Sequence, residues 1–201
     1  MPRKIMLTAD VDEVEKVQEE TPKLQNSITS NELYFYSDVT PETSFIINKS
    51  LSDLSRQLLI TQITFDLPEP PPIRLYINSD GGEVFGALSI IDKIRTCKVP
   101  VHSYIEGLAA SSATLISVSC HKRFMNKNSV MLIHQVSSWF SGTHENFKDE
   151  YKNLEVLMNL LKGIYFKNTN FKESELEELL KHDLYLSAND ALKYGLIDEI
   201  I

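Results

Sequence analysis

The hydrophobic positions of this chain change rhythm several times, and each change marks an expected element. From about residue 8 to residue 30 there is no apolar stripe: Asp10, Asp12, Glu13, Glu15, Glu19 and Glu20 crowd a polar stretch around Pro22. A flexible acidic tail over residues 1–30 is therefore expected, with a single domain over residues 31–201. Leu33-Tyr34-Phe35-Tyr36 reads as a strand, and Thr40-Pro41 opens a helix with an N-cap threonine and a proline at its first position. Ile47, Leu51, Leu54 and Leu58 give that helix its buried stripe. The proline density of Leu67-Pro68-Glu69-Pro70-Pro71-Pro72 then demands a stiff connection.

Beyond it the pattern alternates strand, turn and helix. Ile73–Ile77 is strand-like, Asn78-Ser79-Asp80-Gly81-Gly82 is a turn, and Val84, Leu88, Ile91 and Ile94 recur at helical spacing. Val99–Ile105 is the next expected strand and Ser111–Ser119 the next helix; residues 122–126 and 129–134 read as strands around Asn126-Lys127-Asn128. This alternation predicts an α/β fold. A long helix from about Thr143 to Asn168 carries Phe147, Tyr151, Leu154, Met158, Leu161 and Tyr165 on one narrow seam. That seam is either a core-facing stripe or a contact between subunits. Ser174-Glu175-Leu176-Glu177 and Ser187-Ala188-Asn189-Asp190 resemble capping boxes, and Gly195 suits a helix C-terminus.

Composition narrows the function classes. The 201 residues are 42% hydrophobic, enough for one sizeable core. A formal charge of −8, with no long run of Lys or Arg, argues against a nucleic-acid partner. The apolar stretch Ile5-Met6-Leu7 is too short for a secretion signal, and no run approaches the ~18 apolar residues of a membrane span. Cys97 and Cys120 have neither metal-ligand spacing nor a disulfide framework, which fits a reducing, cytoplasmic compartment.

The most informative stretch is Gly107-Leu108-Ala109-Ala110-Ser111-Ser112-Ala113, small residues where an apolar strand gives way to an apolar helix. Small side chains there either allow close helix packing or seat a nucleophile, Ser111, at the positive end of a helix dipole. Among the five histidines, His102, His121, His144 and His182 read as structural or solvated. His134 ends the apolar strand Val130–Ile133 at the threshold of a polar loop, so it is either a satisfied structural side chain or a general base. Asp183, between a helix and the Ser187 cap and flanked by apolar residues, is either a solvated carboxylate or a partly buried partner for that base. The glycine turn at Gly81-Gly82 can offer backbone N–H groups to an oxyanion. It matches neither the phosphate-loop nor the dinucleotide-binding glycine pattern, so no cofactor is expected, and no metal either, for want of ligand spacing. The chain order Ser111, His134, Asp183 fits neither the α/β-hydrolase nor the chymotrypsin-like or subtilisin-like order.

Taken in order, Tyr76-Ile77-Asn78-Ser79-Asp80-Gly81-Gly82, Gly107–Ser112, Val130–Gln135, Asp183–Ala188 and Tyr194-Gly195-Leu196-Ile197-Asp198 resemble the ClpP family, the proteolytic subunits of the ATP-dependent Clp protease. The similarity covers residues 73–201 well and 31–72 loosely. It implies a ClpP/crotonase-like spiral of ββα units with a protruding long helix. It further implies a serine endopeptidase with Ser111 as nucleophile, His134 as base then acid, and Asp183 as orienting carboxylate. The amides of Gly82 and Ser112 would form the oxyanion hole, with Val84, Ser137, Ser138 and Trp139 in the substrate groove. The partners implied are further copies in two stacked heptameric rings, or another ClpP-like subunit in a mixed ring. A separate AAA+ ATPase would feed unfolded polypeptides, and a modulatory subunit or an acyl-CoA enzyme of the crotonase type are the alternatives. Several positions depart from the family pattern. Asp80 replaces a usual proline, Ser112 a usual methionine, and Val136-Ser137-Ser138-Trp139 a glycine-containing run. Arg74 and Glu106 stand where the docking face is usually apolar.

Overall fold

The computed structural model describes residues 31–201, so the tail expected over residues 1–30 lies outside the described residues. The elements are β1 (Glu32–Phe35), α1 (Pro41–Thr64), β2 (Ile73–Ser79), α2 (Val84–Thr96), β3 (Val101–Ala110), α3 (Ser112–Val118), β4 (Lys122–Met125), β5 (Val130–Leu132), α4 (His144–Asn168), α5 (Glu173–Leu180), β6 (Tyr185–Ser187), α6 (Ala188–Lys193) and β7 (Glu199–Ile200). Local chemistry fixes several ends. Thr40 and Thr43 cap α1 reciprocally, each hydroxyl accepting the other's backbone N–H at 3.2 and 2.8 Å. Ser187 and Asp190 do the same for α6. Gly195, at φ +69°, takes the left-handed position after that helix. Ser174, expected as a cap, lies inside α5 instead. The helix starts earlier because the Glu175 carboxylate accepts the Lys172 N–H at 3.0 Å, a reach that a Ser174 cap cannot offer to it.

Strands β1, β2, β3, β4 and β7 form a parallel sheet in that order; β5 joins β3, and β6 runs antiparallel to β5. Burial alternates along β2: Ile73, Leu75 and Ile77 are fully buried, while Arg74 is exposed and Tyr76 half-buried. Each buried side chain of this kind stabilises the fold by about 1.5–3 kcal/mol. The opposite face carries a row of stacked rings, Tyr34, Tyr76, Tyr104 and Phe124, with centroids 4.9, 5.0 and 4.7 Å apart. At its margin the Tyr36 hydroxyl donates to Glu106, and Arg74 lies 3.8 Å from Glu32.

β3 is longer than the expected Val99–Ile105, running through the small-residue stretch to Ala110. It pairs with β4 over 102–105 and with β5 over 108–110, so it changes partner partway. Gly107, at φ +79°, makes the change possible. Ser129 and Asn78 brace it: the Ser129 hydroxyl accepts the Gly107 N–H at 2.8 Å and donates to the Ile105 carbonyl at 3.0 Å, and the Asn78 amide oxygen accepts the Leu108 N–H at 3.2 Å. The seam on α4 divides. Leu161 and Tyr165 are buried, whereas Phe147 and Tyr151 are exposed.

Candidate active site

Ser111 sits at the junction of β3 and α3, at φ 54° and ψ −126°, a conformation L-residues other than glycine rarely adopt. Its N–H donates to the Leu132 carbonyl at 2.8 Å, so the pairing of β3 with β5 continues into the turn and holds the strain. Ala110 lies opposite Leu132 in that register, which brings Ser111 beside the residues that follow β5.

The second pairing brings the other two side chains together. In the antiparallel β5–β6 ladder Leu132 faces Tyr185. Continuing the register two residues beyond each strand sets His134 opposite Asp183. His134 Nδ1 stands 3.4 Å from Asp183 Oδ1. The backbone closes around them, with the Gln135 N–H donating to the Leu180 carbonyl at 3.0 Å. Of the two readings left open for Asp183, a solvated or a partly buried carboxylate, the exposure fits the first: its side chain is 77% exposed, against 27% for His134. Its neighbours Leu184 and Tyr185 are themselves exposed, because among the described residues β6 has β5 on one side and no strand on the other.

The glycine turn reaches the same place. A Cβ on Gly81, at φ +95°, would lie 2.6 Å from the Ala110 carbonyl oxygen and 2.8 Å from Ser111 Cβ, so only glycine lets this turn approach the serine. Val39 clamps the turn from behind: its N–H donates to Gly81 at 2.7 Å and its carbonyl accepts from Glu83 at 2.8 Å. These bonds pass over the Gly82 N–H, which has no acceptor among the described residues. Ser112 is the first residue of α3, and its N–H also lacks one.

A cavity of about 60 Å³ opens on these groups, lined by Gly82, Val84, Ser111, Ser112, His134 and Ser137 together with the α4 seam residues Met158, Leu161 and Tyr165. The helical spacing gave the seam but not its destination, since two turns of α4 wall this cavity. Tyr165 is anchored by a 2.6 Å bond between its hydroxyl and Thr114, and burial raises the pKa of that hydroxyl far above its ordinary value. Of the groove candidates, Ser138 lines a neighbouring groove and Trp139 is 89% exposed, outside both linings. The remaining histidines are engaged elsewhere. His121 Nδ1 accepts the Val101 N–H at 3.0 Å, His144 and His182 lie 3.2 Å from Glu145 and Glu178, and His102 lies tilted beside Phe124 with its pKa lowered by burial. Burial pushes the Cys120 thiol up to about 12, so it is no nucleophile at neutral pH.

A strained serine, a histidine–carboxylate pair and two amides without acceptors among the described residues meet at one cavity, an arrangement able to carry acyl transfer. Known proteins narrow the class. The model of the Clp protease family matches residues 28–201. The ATP-dependent Clp protease proteolytic subunit of Deinococcus radiodurans is 34% identical over 153 residues, 75% of each chain. A solved ClpP1 point mutant from Listeria monocytogenes superposes with a TM-score of 0.73 at 24% identity, covering 87% of this chain and 92% of that one, a likeness of fold. This chain belongs to the Clp protease family, with the ClpP/crotonase-like α/β fold that its sequence motifs implied.

Proposed function

We propose that the chain is a serine endopeptidase that cleaves unfolded polypeptides, with Ser111, His134 and Asp183 as its triad. The observation that carries this reading is the double β-pairing of β5, which sets His134 against Asp183 on one side and Ser111 on the other. The Asp183 carboxylate accepts a hydrogen bond from the N–H at His134 Nδ1, which fixes the tautomer and leaves Nε2 as the base. Ser111 Oγ attacks the peptide carbonyl carbon while its proton passes to His134 Nε2. The carbonyl oxygen, now anionic, takes hydrogen bonds from the N–H groups of Gly82 and Ser112, each such donor contributing about 10²–10³ in rate. Collapse breaks the C–N bond, and His134 Nε2 gives its proton to the leaving amine. Water then attacks the acyl-enzyme, losing a proton to the same nitrogen and restoring Ser111.

The chain works, in this reading, as a ring-forming subunit, two heptamers meeting through α4. The exposed Phe147 and Tyr151 on that helix supply the apolar contact. A separate Clp-type ATPase feeds it, since no nucleotide motif is present in the chain. The aromatic row on the open sheet face keeps apolar surface for such a partner despite Arg74 and Glu106. A cytoplasmic compartment suits two unpaired cysteines; among the described residues no helix is long and apolar enough to cross a membrane. The Ser111 hydroxyl has no hydrogen-bond partner among the described residues, which favours a triad completed on assembly, whether in a ring of this chain or in a mixed ring. Labelling of the assembled protein with a fluorophosphonate, lost in Ser111→Ala, tests the reading; an assembled wild type that neither labels nor cleaves sinks it. Native mass spectrometry tests the rings, where a species of fourteen subunits is expected and a monomer at micromolar concentration counts against a chamber.

A further inference from the structure

Beside the catalytic cavity, and sharing Val84, Val136 and Ser137 with it, runs a larger groove of about 610 Å³. Its walls come from the start of α2 and from α4, with the loop at 136–138 between them. Phe85, Leu154 and Leu157 make it apolar, and its charged residues are Glu83 and Glu150, with no cation in the lining. Among the described residues neither carboxylate forms an ion pair. Glu83 is the N-cap residue of α2 but its side chain makes no capping bond, and no described residue pairs with it. Glu150 accepts one bond, from the neutral Ser138 hydroxyl at 3.0 Å. The nearby lysines of α4 are engaged elsewhere, Lys148 with Glu145 at 2.9 Å and Lys152 with Asp149 at 3.8 Å.

We infer that Glu83 and Glu150 make this groove a subsite for a Lys or Arg side chain of the substrate polypeptide, at a fixed distance from the scissile bond. The assignment rests on the peptidase reading of the adjoining cavity. An aliphatic stem packs along Phe85, Leu154 and Leu157 while the cationic head meets the two carboxylates, a division of labour natural to Lys and Arg. Apolar walls lower the local dielectric and strengthen that attraction relative to open water.

The test uses the assembled protein and internally quenched peptides in which Arg, norleucine or Glu is moved through the positions flanking a constant cleavage site. At one position Arg is expected to exceed norleucine by about five- to tenfold in kcat/KM, carried by KM, with Glu below both. In Glu83→Gln/Glu150→Gln the ratio falls to within about twofold. Anisotropy of fluorescein-labelled versions on Ser111→Ala measures the same ratio as binding, independently of cleavage. Absence of a basic preference in binding, or a preference that survives the double substitution, overturns the subsite. A preference that appears in binding while wild type neither labels with fluorophosphonate nor cleaves upholds the subsite and overturns the peptidase reading.

Discussion

Two adjacent serines at one turn have opposite surroundings. Ser111 carries the strained backbone and opens on the cavity, whereas the Ser112 hydroxyl is buried without a hydrogen-bond partner. A buried hydroxyl without a partner forfeits its hydration and gains nothing in return. Ser112→Ala keeps the backbone N–H that the proposed oxyanion hole needs, so it is expected to retain cleavage within about threefold and to raise stability by up to about 1 kcal/mol, read from a denaturant midpoint. Cleavage abolished by Ser112→Ala and retained by Ser111→Ala would show that the nucleophile is the neighbouring serine. In the sequence both lie in one small-residue run; the structure adds the φ of 54° at Ser111 and the buried hydroxyl of Ser112 to what separates them.

Among the elements, glycines give the sharpest contrast. At Gly81 a methyl group meets the Ala110 carbonyl and Ser111 Cβ, and the φ of +95° is itself unfavourable for an L side chain. Gly81→Ala is expected to destabilise by about 2–3 kcal/mol and to abolish fluorophosphonate labelling, because the turn carrying the Gly82 amide is displaced. Gly163, by contrast, lies within α4 with nothing within 4 Å of an added Cβ. Gly163→Ala should stabilise the chain by about 0.5–1 kcal/mol through helix propensity, seen as a raised melting temperature. Neither outcome follows from counting glycines. The turn at Asn78–Gly82 was legible as a turn, but its approach to Ser111 depends on the β2–β3 register, in which Ser79 lies opposite Ala109.

Across the whole molecule, Arg123 ties β4 to two distant segments, the end of α4 and the stretch at 195–198. Its guanidinium donates to the Asn168 and Gly195 carbonyls, the latter at 2.8 Å, and lies against Asp198, whose carboxylate also accepts the Arg123 backbone N–H at 2.8 Å. Burial pushes the Asp198 carboxyl up, but the hydrogen bonds and charge of Arg123 outweigh it and hold the group below its ordinary value. A depressed carboxyl pKa stabilises the fold above the unfolded value near 4, and that contribution is lost as pH falls through the lower folded value. Arg123→Met is expected to cost about 2 kcal/mol at pH 7, with the gap between variant and wild type narrowing below about pH 4 in denaturant titrations. A gap that stays constant down to pH 2.5 would assign the loss to packing and to the Asn168 and Gly195 carbonyl hydrogen bonds rather than to Asp198.

The sequence by itself determined most of the elements and their order, but not the short strands β6 and β7, whose three and two residues carry no periodicity of their own. Apolar periodicity located α1, α2 and α4, caps fixed the starts of α1 and α6, and ordered motifs gave the family. These features are legible because they depend on neighbours within a few residues along the chain. Ser111, His134 and Asp183 each had an equally good structural reading, and periodicity had no means of choosing. Their convergence was decided by long-range pairing: β3 changes partner at Gly107, β5 takes β3 on one side and β6 on the other, and the registers bring three distant positions to one end. The same tertiary decisions exposed Asp183, turned part of the α4 seam into a cavity wall and set Glu83 and Glu150 around one groove. Register is a property of two strands at once, and the sequence of either alone does not contain it.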